Sequence, residues 1–226
     1  MRLNKSAFLG AIALVGLRCA VALAAAPQQQ SLFDGKTLGQ WKVTEDYEFK
    51  KHGKVEVKQG AIVLGQGQPG TAIRFGGKFP EIDYEIALEA MRVDGDDFFC
   101  GMTFPVGDRL LSLIVGGWGG RVVGLSCIDG EPAAENETCQ YRDFKLGQWY
   151  PIRVRVTRQR IEAWIDREQV VDLATADRKL TIWFEEESVA PLGIATWRTT
   201  GAVRNISVRK LAVDKSHAEA PSRKGR

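Results

Sequence analysis

The sequence predicts an all-β protein, an antiparallel β-sandwich or jelly roll, on three observations. Residues 98 to 126 hold three short apolar runs, Phe98 to Phe104, Leu110 to Val115 and Val122 to Ser126. Pro105-Val106-Gly107-Asp108 and Gly116-Gly117-Trp118-Gly119-Gly120 separate them. Short apolar runs bounded by Gly and Pro are successive strands, and runs with so little polar alternation are covered on both faces. Residues 149 to 166 alternate on either side of Thr157-Arg158-Gln159-Arg160, which makes a hairpin of a single register. Beyond residue 26, no window of ten or more residues carries helical periodicity. Many short strands joined by Gly-rich turns make a sandwich rather than a small barrel. Residues 31 to 211 are long enough to bury an ample core.

In chain order, residues 1–26 have the form of a secretory signal peptide. Arg2 and Lys5 supply the positive start, Ala7 to Leu17 the apolar stretch, and Ala22-Leu23-Ala24 a small-x-small cleavage site. Cleavage after Ala24 is expected, because Pro27 disfavours a cut directly before it. The apolar stretch is short for a membrane span and Arg18 interrupts it, so no span remains after cleavage. Arg18 in front of Cys19 is also wrong for a lipid attachment site. The expected product is a soluble exported protein, with residues 27–30 as a linker.

Ser31 to Leu38 then lead to Trp41, and strands follow near 54–58, 61–64 and 71–75, punctuated by Gly60, Gly65, Gly67, Pro69-Gly70 and Gly76-Gly77. Ile82, Tyr84, Ile86, Leu88 and Ala90 alternate with Glu81, Asp83, Glu85 and Glu89, the period of a half-buried strand. The same period puts Arg92 on the apolar side. There it must either snorkel to the rim or meet a carboxylate, and Asp94, Asp96 and Asp97 follow at once. Trp118 stands among four glycines. Either its ring is presented to stack on a sugar, or it closes the end of the core.

Residues 128 to 140 form a polar loop carrying Asp129, Glu131, Glu135, Asn136 and Glu137. In the hairpin, pairing Val156 with Ile161 sets Val154 opposite Ala163 and Ile152 opposite Ile165 on one face. The other face pairs Arg155 with Glu162 and Arg153 with Trp164, so apolar, ionic and cation–π requirements agree. Strands near 181–184, 191–197 and 203–210 complete the domain.

The formal charge of +3 is set by the chain ends. Arg2, Lys5, Arg18, Lys215, Arg223, Lys224 and Arg226 are seven of the 31 basic residues, and Asp214 and Glu219 two of the 28 acidic ones. Residues 31–211 therefore carry 24 basic against 26 acidic side chains, interspersed, which offers no footprint for nucleic acid. Residues 212–226 are a polar basic tail, expected to be disordered. Cys127 and Cys139 flank the polar loop, and export permits a disulfide between them, whereas Cys100 belongs to an apolar run and is expected buried and free. With only His52 and His217 in the chain, these spacings argue against a structural zinc site, and no metal or cofactor is expected. Ser-His-Asp and Cys-His constellations, a phosphate loop and a nicotinamide fingerprint are all absent.

Leu32-Phe33-Asp34-Gly35-Lys36-Thr37-Leu38 followed by Trp41 resembles the opening of the 3-keto-disaccharide hydrolase domain family, concanavalin A-like jelly rolls of exported bacterial proteins. Tyr84-Glu85-Ile86 with Glu89 and Arg92, Gly147-Gln148-Trp149-Tyr150 with Ile161 to Asp166, and Gly193-Ile194-Ala195 with Val203-Arg204-Asn205-Ile206 extend the resemblance over residues 31 to 210. Two departures stand out. Thr196-Trp197-Arg198-Thr199 occupies the place of the family's Gln-Asp-His element, and Asp97-Phe98-Phe99-Cys100-Gly101 that of its Asn-Ser-Gly element.

The resemblance implies cleavage of a glycoside already oxidised at C3. The ketone acidifies the C2 proton, a base removes it, and the glycosidic oxygen leaves from C1. Glu137 is the first candidate base and Asp129 the second, unless the acidic loop is simply solvated. Arg92 or Arg198 would stabilise the enolate, and Trp118 and Trp197 would stack on the sugar. The alternative is a non-catalytic carbohydrate-binding module or cell-surface adhesion domain that uses the same tryptophans and arginines. Arg92, Trp118, Glu137, Trp197 and Arg198 are expected to converge on one concave face.

Overall fold

A computed structural model describes residues 29–212. The signal peptide expected at 1–26 and nearly all of the tail lie outside the described residues. The strands, in chain order, are β1 (Gln29–Ser31), β2 (Trp41–Val43), β3 (Val55–Lys58), β4 (Ala61–Leu64), β5 (Gly70–Phe75), β6 (Tyr84–Gly95), β7 (Cys100–Val106), β8 (Arg109–Gly117) and β9 (Val122–Ser126). There follow β10 (Gln140–Tyr141), β11 (Trp149–Val156), β12 (Arg160–Ile165), β13 (Glu168–Ala174), β14 (Gly193–Trp197) and β15 (Thr199–Lys210). Two short 3₁₀ helices, Tyr47–Phe49 and Phe184–Val189, complete the described secondary structure.

The strands form two antiparallel sheets, as the sequence predicts. One has eight strands, in the order β13-β12-β11-β6-β15-β4-β3 with β1 also on β15, and the other seven, β10-β9-β8-β7-β14-β5-β2. Period 2 decides which side chains meet between them. Cys100, Met102, Phe104 and Val106 of β7 and Leu111, Leu113 and Val115 of β8 enter the shared core, which faces Ile86, Leu88, Ile152, Val154, Ile161 and Ala163 of the larger sheet. Each fully buried Leu or Ile there contributes roughly 2 kcal/mol. Tyr84 of β6 ties the sheets together, its hydroxyl donating to the Pro105 carbonyl at 2.6 Å.

The hairpin has the register its sequence demands: Val156↔Ile161, Arg155↔Glu162, Val154↔Ala163, Arg153↔Trp164 and Ile152↔Ile165. The Arg153 guanidinium lies 3.8 Å from the Trp164 ring, and Arg155 reaches Glu162 at 3.4 Å. Glu85 on β6 joins the same outer face and accepts hydrogen bonds from Arg153 and Arg209, both at 2.9 Å.

Four expectations need correction. Gln29 and Gln30, assigned to a linker, already pair with Arg209 and Val208 of β15, since extended backbone beside an open strand edge gains ladder bonds. β13 was not foreseen; it pairs with β12 and completes a meander. Residues 181–184 are not a strand. Leu180 makes a single bridge to Ile128, and from Phe184 the chain turns into the 3₁₀ helix. Cys127 and Cys139 are both free thiols rather than a disulfide. Register is the reason: β10 pairs Gln140 with Val123, which carries Cys139 toward Gly124, three positions short of Cys127. At about 3.3 Å per residue that offset exceeds the reach of a disulfide. Cys100 is buried and free, with its thiol pushed up to about 12 by that burial.

Candidate functional site

The seven-stranded sheet has a second buried face, and the site lies there. The outward positions Ser112 and Ile114 of β8 are covered rather than wet: Ser112 is 0 % exposed and Ile114 2 %. The cover comes from the two 3₁₀ helices and from the 127–139 loop, whose Ala133 packs with Ile114 and Val122. Between the covers a cavity of about 290 Å³ stays open, lined by Phe49, Asp97, Phe98, Ile114, Trp118, Trp183, Glu185, Glu186 and Trp197.

Glycine in two strands lets the covers lie so close. A Cβ on Gly193 would come within 2.4 Å of the Val189 Cβ, so only glycine lets the second 3₁₀ helix rest on β14. A Cβ on Gly70 would meet the Phe49 ring at 2.7 Å, and its absence seats that ring on β5. Trp197, at the end of β14, stacks on Phe98 with centroids 6.1 Å apart and planes 25° from parallel.

Glu186 is the chemical centre of the cavity. It is 6 % exposed, and its Oε2 accepts the Ser112 hydroxyl at 2.6 Å, with the Thr103 hydroxyl 2.9 Å from that of Ser112. Burial raises its carboxyl to about 7, against the hydrogen bond from Ser112, and the neighbouring Glu185 adds repulsion. Near neutral pH it is therefore divided between its acid and base forms, the condition for transferring protons in both directions. Glu185 lines the same cavity, with its Oε2 shielded from solvent and without a hydrogen-bond donor.

The Gly-rich turn bearing Trp118 is held from below and from the side. Arg92 Nη2 donates to the carbonyls of Gly116 at 3.2 Å and Gly120 at 2.7 Å, and its guanidinium lies 5.2 Å from the Phe99 ring centroid. Gly116 and Gly120 adopt positive φ, +78° and +94°, and a Cβ at Gly116 would collide with Arg92 Nη2 at 2.5 Å. Asp97 fixes the other side, with Oδ1 accepting the backbone N–H groups of Phe98 at 2.8 Å and Trp118 at 3.1 Å. Burial pushes the Asp97 carboxyl up, and those N–H groups offset part of the rise. Trp118 is left 46 % exposed, with its ring at the cavity mouth rather than in the core.

Of the residues expected to converge, Trp118 and Trp197 line one cavity. Arg92 stands behind it and does not line it. It is on the apolar side, as its period requires, but it satisfies its charge with carbonyls and an aromatic face instead of an ion pair. Arg198 follows Trp197 with φ +48° and an exposed side chain; its charge reaches Asp97 and opposes a little of the rise that burial causes there, yet it does not line the cavity. Glu137 and Asp129 are elsewhere. Both bind Arg178, Glu137 through two oxygens and Asp129 at 2.7 Å, and Asp129 also accepts the Lys179 N–H at 2.7 Å. The hydrogen bond from Arg178 lowers the Glu137 carboxyl, and that from the Lys179 backbone lowers Asp129. Carboxylates held charged in this way pin the loop and are poor bases.

Sequence reasoning missed Glu186, Glu185, Trp183, Asp97, Phe98 and Phe49. Two signals were present. Trp183-Phe184-Glu185-Glu186-Glu187 breaks any strand pattern, and Ser112 is the lone hydroxyl inside the Leu110–Val115 run, needing a buried partner. Among the described residues no group of three or more His, Cys, Asp or Glu is placed to hold a metal ion, and no helix is long and apolar enough to cross a membrane.

A family model described as the 3-keto-alpha-glucoside-1,2-lyase-like domain matches residues 28–209. No curated protein matches the chain. Solved structures share the fold at low identity. Crh5 transglycosylase in complex with NAG is 14% identical with a TM-score of 0.53, over 84% of this chain and 86% of that one. The conserved carbohydrate esterase of the Shiga toxin-encoding bacteriophage phi24B is 12% identical with a TM-score of 0.53, over 82% of this chain and 100% of that one. Domain 4 of AbnA, a GH43 extracellular arabinanase from Geobacillus stearothermophilus, in complex with arabinotriose, is 13% identical with a TM-score of 0.50, over 77% and 84%.

Proposed function

Since the chain belongs to the family of 3-keto-alpha-glucoside-1,2-lyase-like domains, we propose that it holds a C3-oxidised glycoside in the aromatic cavity and cleaves it, with Glu186 as the proton carrier. One observation carries the assignment: a buried carboxyl whose burial raises it to about 7 opens onto a cavity walled by tryptophans. In this reaction ionised Glu186 takes the proton from C2, which the C3 ketone has made acidic. The electron pair forms the C1–C2 double bond as the C1–O bond breaks. The proton then passes from Glu186 to the departing oxygen, which leaves as a hydroxyl, and addition of water to the enone returns a 3-keto sugar. Ser112 holds the carboxylate in place, while Trp118 and Trp197 supply stacking faces for the ring.

The test is turnover of a 3-keto-glucoside by the purified protein beside binding of the same compound. Glu186→Gln is expected to abolish turnover and leave affinity within about threefold, since it removes the proton carrier and keeps the volume. Trp197→Ala weakens both, and Glu137→Gln changes neither. With Glu186 as base, the rate rises with pH and levels off above about 7. Full activity in Glu186→Gln would overturn the assignment.

A binding-only reading draws on the paired presence of Trp118 and Trp197, which serve a sugar without any chemistry; binding of the unoxidised sugar with no turnover of the keto form selects it. We also infer that the chain is exported, from Arg2, Lys5, the apolar stretch and the Ala22–Ala24 site. Sequencing the N-terminus of the mature protein tests this, with a start at Ala25 expected.

A further inference from the structure

The cavity's charges are one-sided, and its acidic groups are held differently. Asp97 has its Oδ1 occupied by two backbone N–H groups and feels the positive charges of Arg92 and Arg198. Glu186 has the neutral Ser112 hydroxyl, and Glu185 Oε2 has no donor. Among the described residues no Lys, Arg or His lines the cavity, and Glu185 repels Glu186. Glu186 is buried, and Glu185 is half-buried with its Oε2 shielded from solvent and without a donor; such a pair without a counter-charge is costly for the protein alone. Trp183, two residues before Glu185, lines the same cavity, as do Trp118 and Trp197. Tryptophan faces attract cations, most strongly where water is excluded. Aromatic rings alone would suit any sugar, and carboxylates alone would accept neutral hydroxyls. The two together, with no protein cation, call for a positive charge on the ligand.

We propose that the glycoside held in this cavity carries an ammonium group, as an amino sugar does, set against Glu185 beside Trp183, leaving Glu186 to carry the proton. The inference rests on the cavity being the sugar site and adds the charge of the sugar to it. The ammonium donates to Glu185 Oε2, which has no donor in the protein, and offsets the repulsion between Glu185 and Glu186. A uronic acid, bringing a third like charge to the pair, is excluded.

Calorimetric titration of the full-length protein at neutral pH with the methyl glycosides of glucosamine, glucose and glucuronic acid tests it. The glucosamine glycoside is expected to bind about tenfold more tightly than the glucose glycoside, the combined effect of charge-assisted hydrogen bonds and a desolvated cation–π contact. The glucuronide should not bind. Glu185→Gln should bring the two affinities within about twofold by lowering only that for glucosamine. A control needs no variant: at a pH high enough to neutralise the amine, the preference disappears in the wild type. Equal or tighter binding of the glucose glycoside overturns this inference and leaves the sugar site standing. A preference that survives both Glu185→Gln and neutralisation of the amine also overturns it, because shape and not charge would then be read. Binding of none of the three overturns this inference, while the sugar site itself is decided by the 3-keto-glucoside.

Discussion

At the scale of single residues, the chain sets its carboxylates to opposite uses by what surrounds them. Glu137 and Asp129 sit in hydrogen bonds to a guanidinium and a backbone N–H, are lowered, and serve as anchors. Glu186 has burial and a neighbouring acid, is raised, and is available for proton transfer. That availability costs stability, with a definite sign. Unfolded, the carboxyl titrates near 4.5; folded, near 7. Below the first value both states are protonated and nothing is lost. Between them the unfolded chain gives up its proton while the fold keeps it, so stability falls as pH rises, by roughly 3 kcal/mol at the upper end. Glu186→Gln has no charge to bury. Its melting temperature should match the wild type near pH 4 and exceed it by several degrees above about 7, read by thermal denaturation across pH. A difference that does not change with pH would contradict the burial of a titrating group.

At the scale of elements, the second 3₁₀ helix governs the site because it carries Glu185 and Glu186 and is seated on β14 by contact alone. Val189 is fully buried on the sheet, and Gly193 leaves room for it. Gly193→Ala puts a methyl group where the Val189 Cβ lies 2.4 Å away, so the helix must lift. The expected cost is about 1–3 kcal/mol of stability from overpacking, with a larger fractional loss of sugar binding and turnover, because the carboxylates move with the helix. Val189→Ala in the same background should restore neither, because the Val189 Cβ and carbonyl oxygen that the new methyl group meets both remain. The Trp118 turn is the complementary element. Arg92 and Asp97 hold its backbone, and the ring is left free to meet a ligand.

For the whole molecule, the two sheets divide the labour. The eight-stranded sheet faces solvent with paired charges, Glu85 among Arg153, Arg155 and Arg209, and Arg204 bonded to Glu89 above Trp149. The seven-stranded sheet is covered on both sides and surrounds the cavity. Tyr84 links them through a buried hydroxyl. Tyr84→Phe leaves the Pro105 carbonyl without its donor and should cost about 1–3 kcal/mol in chemical denaturation, while activity measured at equal folded fraction stays unchanged. A loss of activity in the folded variant would mean that the sheets also communicate.

Period and register by themselves determined the sandwich: the apolar β7–β9 runs, the alternation of β6 and the β11–β12 pairing all follow from side chains falling on alternate faces. The placement of Arg92 on the apolar side was legible for the same reason, whereas the glycines around Trp118 left open whether its ring is presented or closes the core. Tertiary structure alone decided what covers the outer face of the second sheet, because no local period records which loop returns to lie on a strand. It brought Trp183, Glu185 and Glu186 over Ser112, some seventy residues earlier, and sent Glu137 to Arg178 instead. A carboxylate is a base or an anchor according to the solvent and charge around it. That environment is assembled by long-range packing, so residue type and spacing do not contain it.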